Sequence, residues 1–136
     1  DLQAMINLAL LYHTEARLFD ESKFNDAKQL LQKAIELNPN NPQGYWALAA
    51  VHLEQGEYEK ALELTEFALG LNPEVDESHL YKLIALLFIG DQDLIDQHVA
   101  QTLEMHPGLA QKFQMYLDAD FETDWEAMIF QYYIIA

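Results

Sequence analysis

Three prolines recur at a fixed spacing, and they constrain the fold of this chain more than any other feature. Pro39, Pro73 and Pro107 are each separated by 34 residues, and each follows a stretch in which apolar residues recur every three or four positions. A period of this length with helix–turn–helix content is the signature of a helical repeat array, in which each helix pair buries its apolar face against the next pair. The sequence therefore predicts an all-α fold.

The clearest unit lies between residues 42 and 75 and reads as two amphipathic helices joined at Gly56. Small residues fall where two helix backbones would approach closely, and larger apolar or aromatic residues fall on the buried ridge. The small residues are Ala49, Ala61 and Ala68, and the ridge consists of Tyr45, Leu48, Leu62 and Leu69.

This pattern resembles the tetratricopeptide repeat family when Pro73 is set at position 32 of the motif. Tyr45, Leu48, Ala49, Gly56, Tyr58, Ala61 and Ala68 then match the family, whereas His52 replaces the usual tyrosine and Thr65 the usual aromatic residue. The resemblance implies a right-handed α-solenoid of antiparallel helix pairs. It predicts three units at about 2–40, 41–74 and 75–108, followed by a C-terminal helix pair at 109–136.

The register of the first unit has two alternatives. Counting back from Pro39 without a gap puts Leu11 at position 4. Reading Asn7-Leu8-Ala9 as part of the family's N-L-G-x-x-Y pattern requires a first helix about six residues longer, and we prefer this extended register. Ser22, Asn41 and Asp91 are the predicted N-caps of later helices.

The third unit departs from the family pattern at three positions. Lys82 stands where leucine is usual, and Ile95 and Thr102 stand where small alanines belong. These larger side chains predict a wider spacing between the two helices of this unit.

The last helix is predicted to start near Asp124, because Thr123 and Glu126 form a capping box. It is apolar nearly all round, and an exposed helix of this kind would be a large adhesive patch. Further repeats, the concave groove of the same chain or a second copy could cover it. Trp125, Ile129, Phe130 and Tyr133 are the candidates for self-association into a homodimer. The chain opens on Asp1 without methionine, so we expect a fragment of a longer protein.

Charge limits the choice of partners. The chain has 23 acidic and 7 basic residues and a formal net charge of −16, which repels nucleic acid and anionic membrane surfaces. It contains no cysteine, so disulfides, thiolate catalysis and cysteine-ligated zinc are excluded.

Catalytic and metal-binding motifs are not found. None of the five histidines forms an H-E-x-x-H pair: His52 and His79 are interpreted as structural, and His98 and His106 as surface or turn residues. The acidic run from Asp118 lacks the glycine and glutamate that a calcium loop needs at its sixth and twelfth positions. We expect no enzyme activity, no metal and no cofactor.

In this family the first helix of each unit lines a concave groove that holds the partner. The residues carried over to the groove are Tyr12, Phe19, Gln43, Trp46, Ala50, Leu53, Glu54, Glu77, Leu80, Ile84, Leu87 and Phe88. This set is an apolar strip with acidic edges, and Trp46 is its expected anchor. Trp46, Ala50, Leu80 and Ile84 occupy positions where chaperone-tail binders of the family place cationic and amide side chains, so a carboxylate clamp is not expected.

The prediction is a protein–protein interaction module, a scaffold or adaptor, that binds a peptide or an amphipathic helix with basic flanks. The alternative is a structural spacer or regulatory segment of a larger protein, which could be membrane-bound or enzymatic. In that case the groove is self-occupied or used for homo-oligomerisation.

Overall fold

Seven α-helices and one 3₁₀ turn make up the described part of the computed structural model, which comprises residues 2–18 and 22–119. No β-strand occurs in these residues. The elements are α1 (Leu2–Leu18), α2 (Lys23–Leu37), α3 (Pro42–Glu54), α4 (Tyr58–Leu71), α5 (Asp76–Ile89), α6 (Gln92–Met105), the 3₁₀ turn Pro107–Leu109 and α7 (Ala110–Asp118). None of these helices is both long enough and apolar enough to cross a bilayer.

Local sequence signals set most of the helix ends. The side chain of Asn41 accepts a hydrogen bond of 3.0 Å from the backbone N–H of Gln43, and that of Asp91 accepts one of 3.2 Å from Leu94, so both predicted caps are confirmed. The predicted cap at Ser22 is wrong. This residue has helical backbone angles instead of the extended ones of an N-cap, and its side chain makes no capping hydrogen bond.

The helices stack in the order of the chain. α1 packs against α2, α3 against α4 and α5 against α6, while α2 contacts α3 and α4 contacts α5. The odd-numbered helices also contact one another in sequence, from α1 through α3 and α5 to α7. They therefore form one side of the stack, as in the α-solenoid that the sequence predicts, and the predicted all-α fold is confirmed.

The helices of the second unit approach each other closely. Ala49 on α3 and Ala61 and Ala68 on α4 are completely buried, which confirms their predicted role as small contact residues. α2 also approaches α3 closely at Gly44, because a Cβ atom added there would lie 2.9 Å from Cγ1 of Ile35. Backbones can pack at this distance when no large side chain stands between them.

The helices of the third unit lie farther apart. α6 contacts α5 much less extensively than α4 contacts α3. Ile95 and Thr102, which replace the small alanines, are both buried, and Thr102 contacts His79 of α5. The predicted wider spacing is confirmed. A cleft of about 230 Å³ remains between α4 and α6, lined by Glu66, Lys82 and Leu94 among others.

The length of α1 supports the extended register of the first unit. It has 17 residues, whereas α3 has 13 and α5 has 14. Ala9 is completely buried, as is Ala49, its equivalent in that register. Leu11, which the ungapped register places at a core position, is 66% exposed, whereas Leu8, the equivalent of Leu48 in the extended register, is 41% exposed.

Candidate functional site

The predicted groove lies on α3 and α5, two helices that contact each other directly. The ring of Trp46 on α3 stacks on that of Tyr81 on α5, with centroids 5.6 Å apart and planes inclined by 12°. Neighbouring turns carry the other apolar residues of the strip. Five of the predicted groove residues, Trp46, Ala50, Leu53, Leu80 and Ile84, form what we call the floor.

The floor is buried. Trp46 is 7% exposed, and the other four floor residues are exposed by 2% or less. The groove residues at the edges are more accessible, since Gln43, Glu54, Glu77 and Leu87 are half-buried. The expectation of an apolar strip with acidic edges fits these residue types, but the strip is covered within the chain instead of being open to solvent.

Phe88 belongs to the packing between units. Its ring stacks on that of Tyr58 at the start of α4, with centroids 4.6 Å apart and planes inclined by 5°. The remaining predicted residues lie outside the described side chains. They are Tyr12 and Phe19 of the groove and Trp125, Ile129, Phe130 and Tyr133 of the self-association set.

Comparison with known proteins identifies the family. The model of the tetratricopeptide repeat family matches residues 18–87, which is just over half of the 136 residues. This chain belongs to the tetratricopeptide repeat family. The family is generally non-catalytic, and membership supports a role as a protein–protein interaction module.

Two curated tetratricopeptide proteins are similar to part of the chain. The TPR repeat-containing protein YvcD of Bacillus subtilis (strain 168) is 26% identical over 72 residues, which are 52% of this chain and 15% of that protein. The Hsp70-Hsp90 organising protein of Plasmodium falciparum (isolate 3D7) is 35% identical over 51 residues, which are 38% of this chain and 9% of that protein. The matched segments are thus small parts of both relatives.

In two units, the residue at position 4 of the tetratricopeptide motif forms a hydrogen bond with the carbonyl oxygen of the proline that ends the preceding unit. Tyr45 donates its hydroxyl proton to the carbonyl oxygen of Pro39 at 2.8 Å. His79, the equivalent residue of the third unit, uses Nε2 to donate to the carbonyl oxygen of Pro73 at 2.7 Å. A histidine therefore makes the contact that a tyrosine makes one repeat earlier, and the interpretation of His79 as structural is supported.

A polar network joins α5 to α6 and was not anticipated from the sequence. His98 on α6 donates from Nε2 to the carbonyl oxygen of His79 at 3.0 Å. The hydroxyl oxygen of Thr102 lies 3.4 Å from Nδ1 of His79 and 3.3 Å from Nδ1 of His98. The expectation that His98 lies at the surface is wrong, because this residue is 5% exposed. One feature of the sequence could have indicated this network. His79 and Thr102 are both polar, and both stand at positions of the repeat where its two helices contact each other.

The surroundings of these imidazoles oppose a positive charge. Burial lowers the pKa of His98 to about 4, despite its hydrogen bond to the carbonyl of His79. Burial also lowers the pKa of His79, while the Pro73 carbonyl opposes that change. Both rings are therefore neutral at pH 7.

His52 fills a core position of the second unit, as predicted. It is 8% exposed, and its Nδ1 lies 3.5 Å from a carboxylate oxygen of Glu57. The ammonium of Lys28 donates to the same oxygen at 3.1 Å and thereby ties α2 to the turn between α3 and α4. Burial, followed by the charge of Lys28, lowers the pKa of His52.

Among residues 2–18 and 22–119, no group of three or more histidine, aspartate or glutamate side chains has a geometry that could hold a metal ion. The described side chains of this region offer apolar burial and hydrogen bonding.

Proposed function

We propose that the side of the stack formed by α3 and α5 binds a segment of a partner protein, so that the chain acts as a scaffold or adaptor. The observation that carries this proposal is the direct contact between two helices that both present apolar residues from the expected groove positions. Trp46 of α3 lies against Tyr81 of α5, one residue from Leu80. Apolar residues of two successive repeats thus adjoin without a break.

The chemistry of this side favours one kind of partner. Apolar surface that leaves water on binding contributes about 25 cal/mol per Å², so an apolar strip on the partner would be favoured wherever the groups that cover the floor give way to it. Glu54 and Glu77 at the edges, within a chain of net charge −16, favour lysine or arginine beside that strip. An amphipathic helix or an extended apolar peptide with basic flanks meets both conditions.

The burial of the floor favours a second candidate. An unoccupied groove would leave part of Trp46 open to solvent, but this ring is only 7% exposed. In the second candidate the groove is occupied by the chain itself or used for homo-oligomerisation, and the segment serves as a spacer or regulatory part of a larger protein. A partner would then have to displace the covering group.

The partner proposal can be tested with a fluorescent amphipathic peptide that carries leucine at i and i+4 and lysines at both ends. Fluorescence anisotropy should detect binding to the full chain. Glu77→Lys should weaken this binding about tenfold, because it places a positive charge beside the basic flank. Glu63→Lys changes the net charge equally on the exposed side of α4 and should leave the affinity unchanged. Equal losses in the two variants would contradict the groove.

A variant that ends at residue 123 separates the two candidates. If this variant binds the peptide more tightly than the full chain does, the groove is self-occupied. A dimer that becomes monomeric on truncation, as measured by sedimentation, assigns residues 124–136 to self-association. Equal affinity and a monomer in both cases support the open groove, and no binding by either protein rejects the partner proposal. Trp46→Ala is unsuited to this test, because removing a buried aromatic ring costs about 3–5 kcal/mol of folding free energy.

A further inference from the structure

A single hydroxyl group serves two histidines at the contact between α5 and α6. His79 and His98 each have Nε2 directed at a backbone carbonyl oxygen, which can only accept a hydrogen bond. Each neutral ring must therefore carry its proton on Nε2 and a lone pair on Nδ1. Thr102 lies within 3.4 Å of both Nδ1 atoms but has one proton to donate. With both rings neutral, one Nδ1 has no donor from Thr102.

One added proton completes this network. Protonation of either ring creates an Nδ1–H group that donates to the hydroxyl oxygen of Thr102, which in turn donates to Nδ1 of the other ring. A second proton disrupts these hydrogen bonds. Two N–H groups then point at one oxygen, the hydroxyl proton loses its acceptor, and two cations face each other with ring centroids 5.9 Å apart.

We propose that His79, Thr102 and His98 form a proton-counting latch, which holds α6 on α5 with at most one added proton and opens when both imidazoles are charged. This inference concerns the packing of the third unit and does not depend on whether the groove binds a partner. It would link acidification to α5, the helix that carries Leu80 and Ile84 of the floor.

The charges around the latch come from several elements. On α5, Asp76 favours a charged His79, whereas Lys82 disfavours a charge on either ring. Glu66 of α4 lies 3.8 Å from the ammonium of Lys82. His106, after α6, has its ring centroid 5.0 Å from that of His79 and disfavours its charge.

Two further groups complete these surroundings. Glu74, before α5, lies 3.9 Å from Nδ1 of His106. On α7, the uncharged ring of Phe113 covers His98 at a centroid distance of 5.8 Å. Burial has the largest effect on the pKa of both histidines and lowers it, so the first proton binds to the pair only in acid.

The helix that the latch releases is α6. α5 is held on another side by extensive contacts with α4, whereas its contact with α6 is much smaller and is similar to its contact with α3. His98 and Thr102 are two of the three residues that α6 buries, and Ile95 is the third. When the network fails, α6 is held by the apolar packing of Ile95 and of the partly buried Val99 and Leu103.

The test is an NMR titration of the full chain from pH 7 to pH 3.5. The chemical shifts of the histidine rings report proton uptake, and backbone amide exchange reports the docking of each helix. We expect the amides of α6 to lose protection at a pH about one unit above that at which α2 loses it. Simultaneous loss in α6 and α2 would mean global acid unfolding and would overturn the latch.

Thr102→Val tests the shared hydroxyl. Valine keeps the shape of threonine but cannot accept from a protonated ring, so the first protonation of the pair should shift about one pH unit lower. The two histidines titrate as a coupled pair, and both resonances should report the change. If the titration of both rings is unchanged, the histidines are merely buried and the proposal fails.

His98→Gln tests the release. The glutamine amide can still donate to the carbonyl of His79 and cannot take up a proton in this range. We expect α6 to stay protected to a lower pH than in the unmodified chain. The matched control is His52→Gln, which removes a similarly buried histidine from the second unit and should leave the release of α6 where it is. Release of α6 in His98→Gln at the original pH contradicts the latch, and the Thr102→Val titration decides the matter should His98→Gln not fold.

Discussion

The second and third repeats share a motif but hold their helices together by different means. In the second unit, Ala61 and Ala68 are fully buried and let α4 lie close to α3. In the third unit, Ile95 and Thr102 occupy these positions, and α6 makes a much smaller contact with α5. A polar network of two histidines and a threonine accompanies the wider spacing.

This difference shows how much a repeat can vary around a fixed backbone plan. Both units end with the proline of the period, and in both a side chain at position 4 donates to the carbonyl of a proline six residues earlier. Apolar contact between small residues is insensitive to pH, whereas buried imidazoles are not. Because stability in an array is approximately a sum of repeat and interface terms, the two units should respond differently to the same change.

Acid should produce the largest difference between the units. The pKa of His98 is about 4 in the folded chain, whereas that of an unperturbed imidazole is 6.5, so folding favours the neutral ring. The stability that this ring provides is complete above pH 6.5 and is lost as the pH falls towards 4. The loss amounts to about 3 kcal/mol.

Urea unfolding at pH 7 and pH 4 measures this loss. The decrease in the free energy of unfolding should be about 3 kcal/mol smaller for His98→Gln than for the unmodified chain. His52→Gln provides the comparison in the second unit. His52→Gln should change the decrease in the free energy of unfolding by less than His98→Gln does, because Glu57 opposes the lowering of the pKa of His52. A decrease that is unaffected by His98→Gln would remove the chemical distinction between the repeats.

Overpacking the second unit should have the next largest effect. Ala61→Ile gives this unit the residue that the third unit has at Ile95, but here the helices leave no room for it. We expect the free energy of unfolding to fall by about 2 kcal/mol. Ala100→Ile on the exposed face of α6 is the control, and the lower helix propensity of isoleucine should cost it about 0.5 kcal/mol. Equal costs at the two sites would mean that close packing of α3 and α4 is not what distinguishes the second unit.

Substitution of the glycine at the turn of each repeat should have the smallest effect on the free energy of unfolding, and the effect should be the same in both units. Gly56 and Gly90 end the first helix of their repeats with φ angles of 77° and 83°, a left-handed conformation that side chains disfavour. Gly56→Ala and Gly90→Ala should each lower the free energy of unfolding by about 1 kcal/mol. Gly70→Ala, in the helical backbone of α4 with nothing within 4 Å of the added Cβ, should raise it instead. A large difference between Gly56→Ala and Gly90→Ala in thermal or urea unfolding would show that the turns are not equivalent.

Local features could be predicted from the sequence because they depend on residues close to one another in the chain. The caps at Asn41 and Asp91, the turn at Gly56 and the end of each second helix before its proline follow from backbone chemistry alone. The wider third unit could be predicted as well, since side-chain size limits how closely two helices approach. Ser22 was the exception, because its backbone continues the helical conformation at the start of α2.

Burial was harder to predict because it depends on contacts between distant segments. Trp46 was expected to face an open groove, but its exposure depends on what covers α3 and α5. His98 looked like a surface residue on α6. Its burial results from the carbonyl of His79 on one side and the ring of Phe113 of α7 on the other. A motif derived from single repeats contains neither contact.

The histidine–threonine network also bears on how similar repeats avoid mispairing. Helices of neighbouring repeats resemble one another, so they can associate wrongly during folding or exchange between two copies of a chain. His98 and Thr102 find complementary groups on α5, where His79 offers a carbonyl and a ring nitrogen. On α3 the equivalent residue is Tyr45, which has no ring nitrogen to receive the hydroxyl of Thr102. A misassembled pair of α6 and α3 would therefore bury polar atoms without partners, and this energetic cost identifies α5 as the correct neighbour.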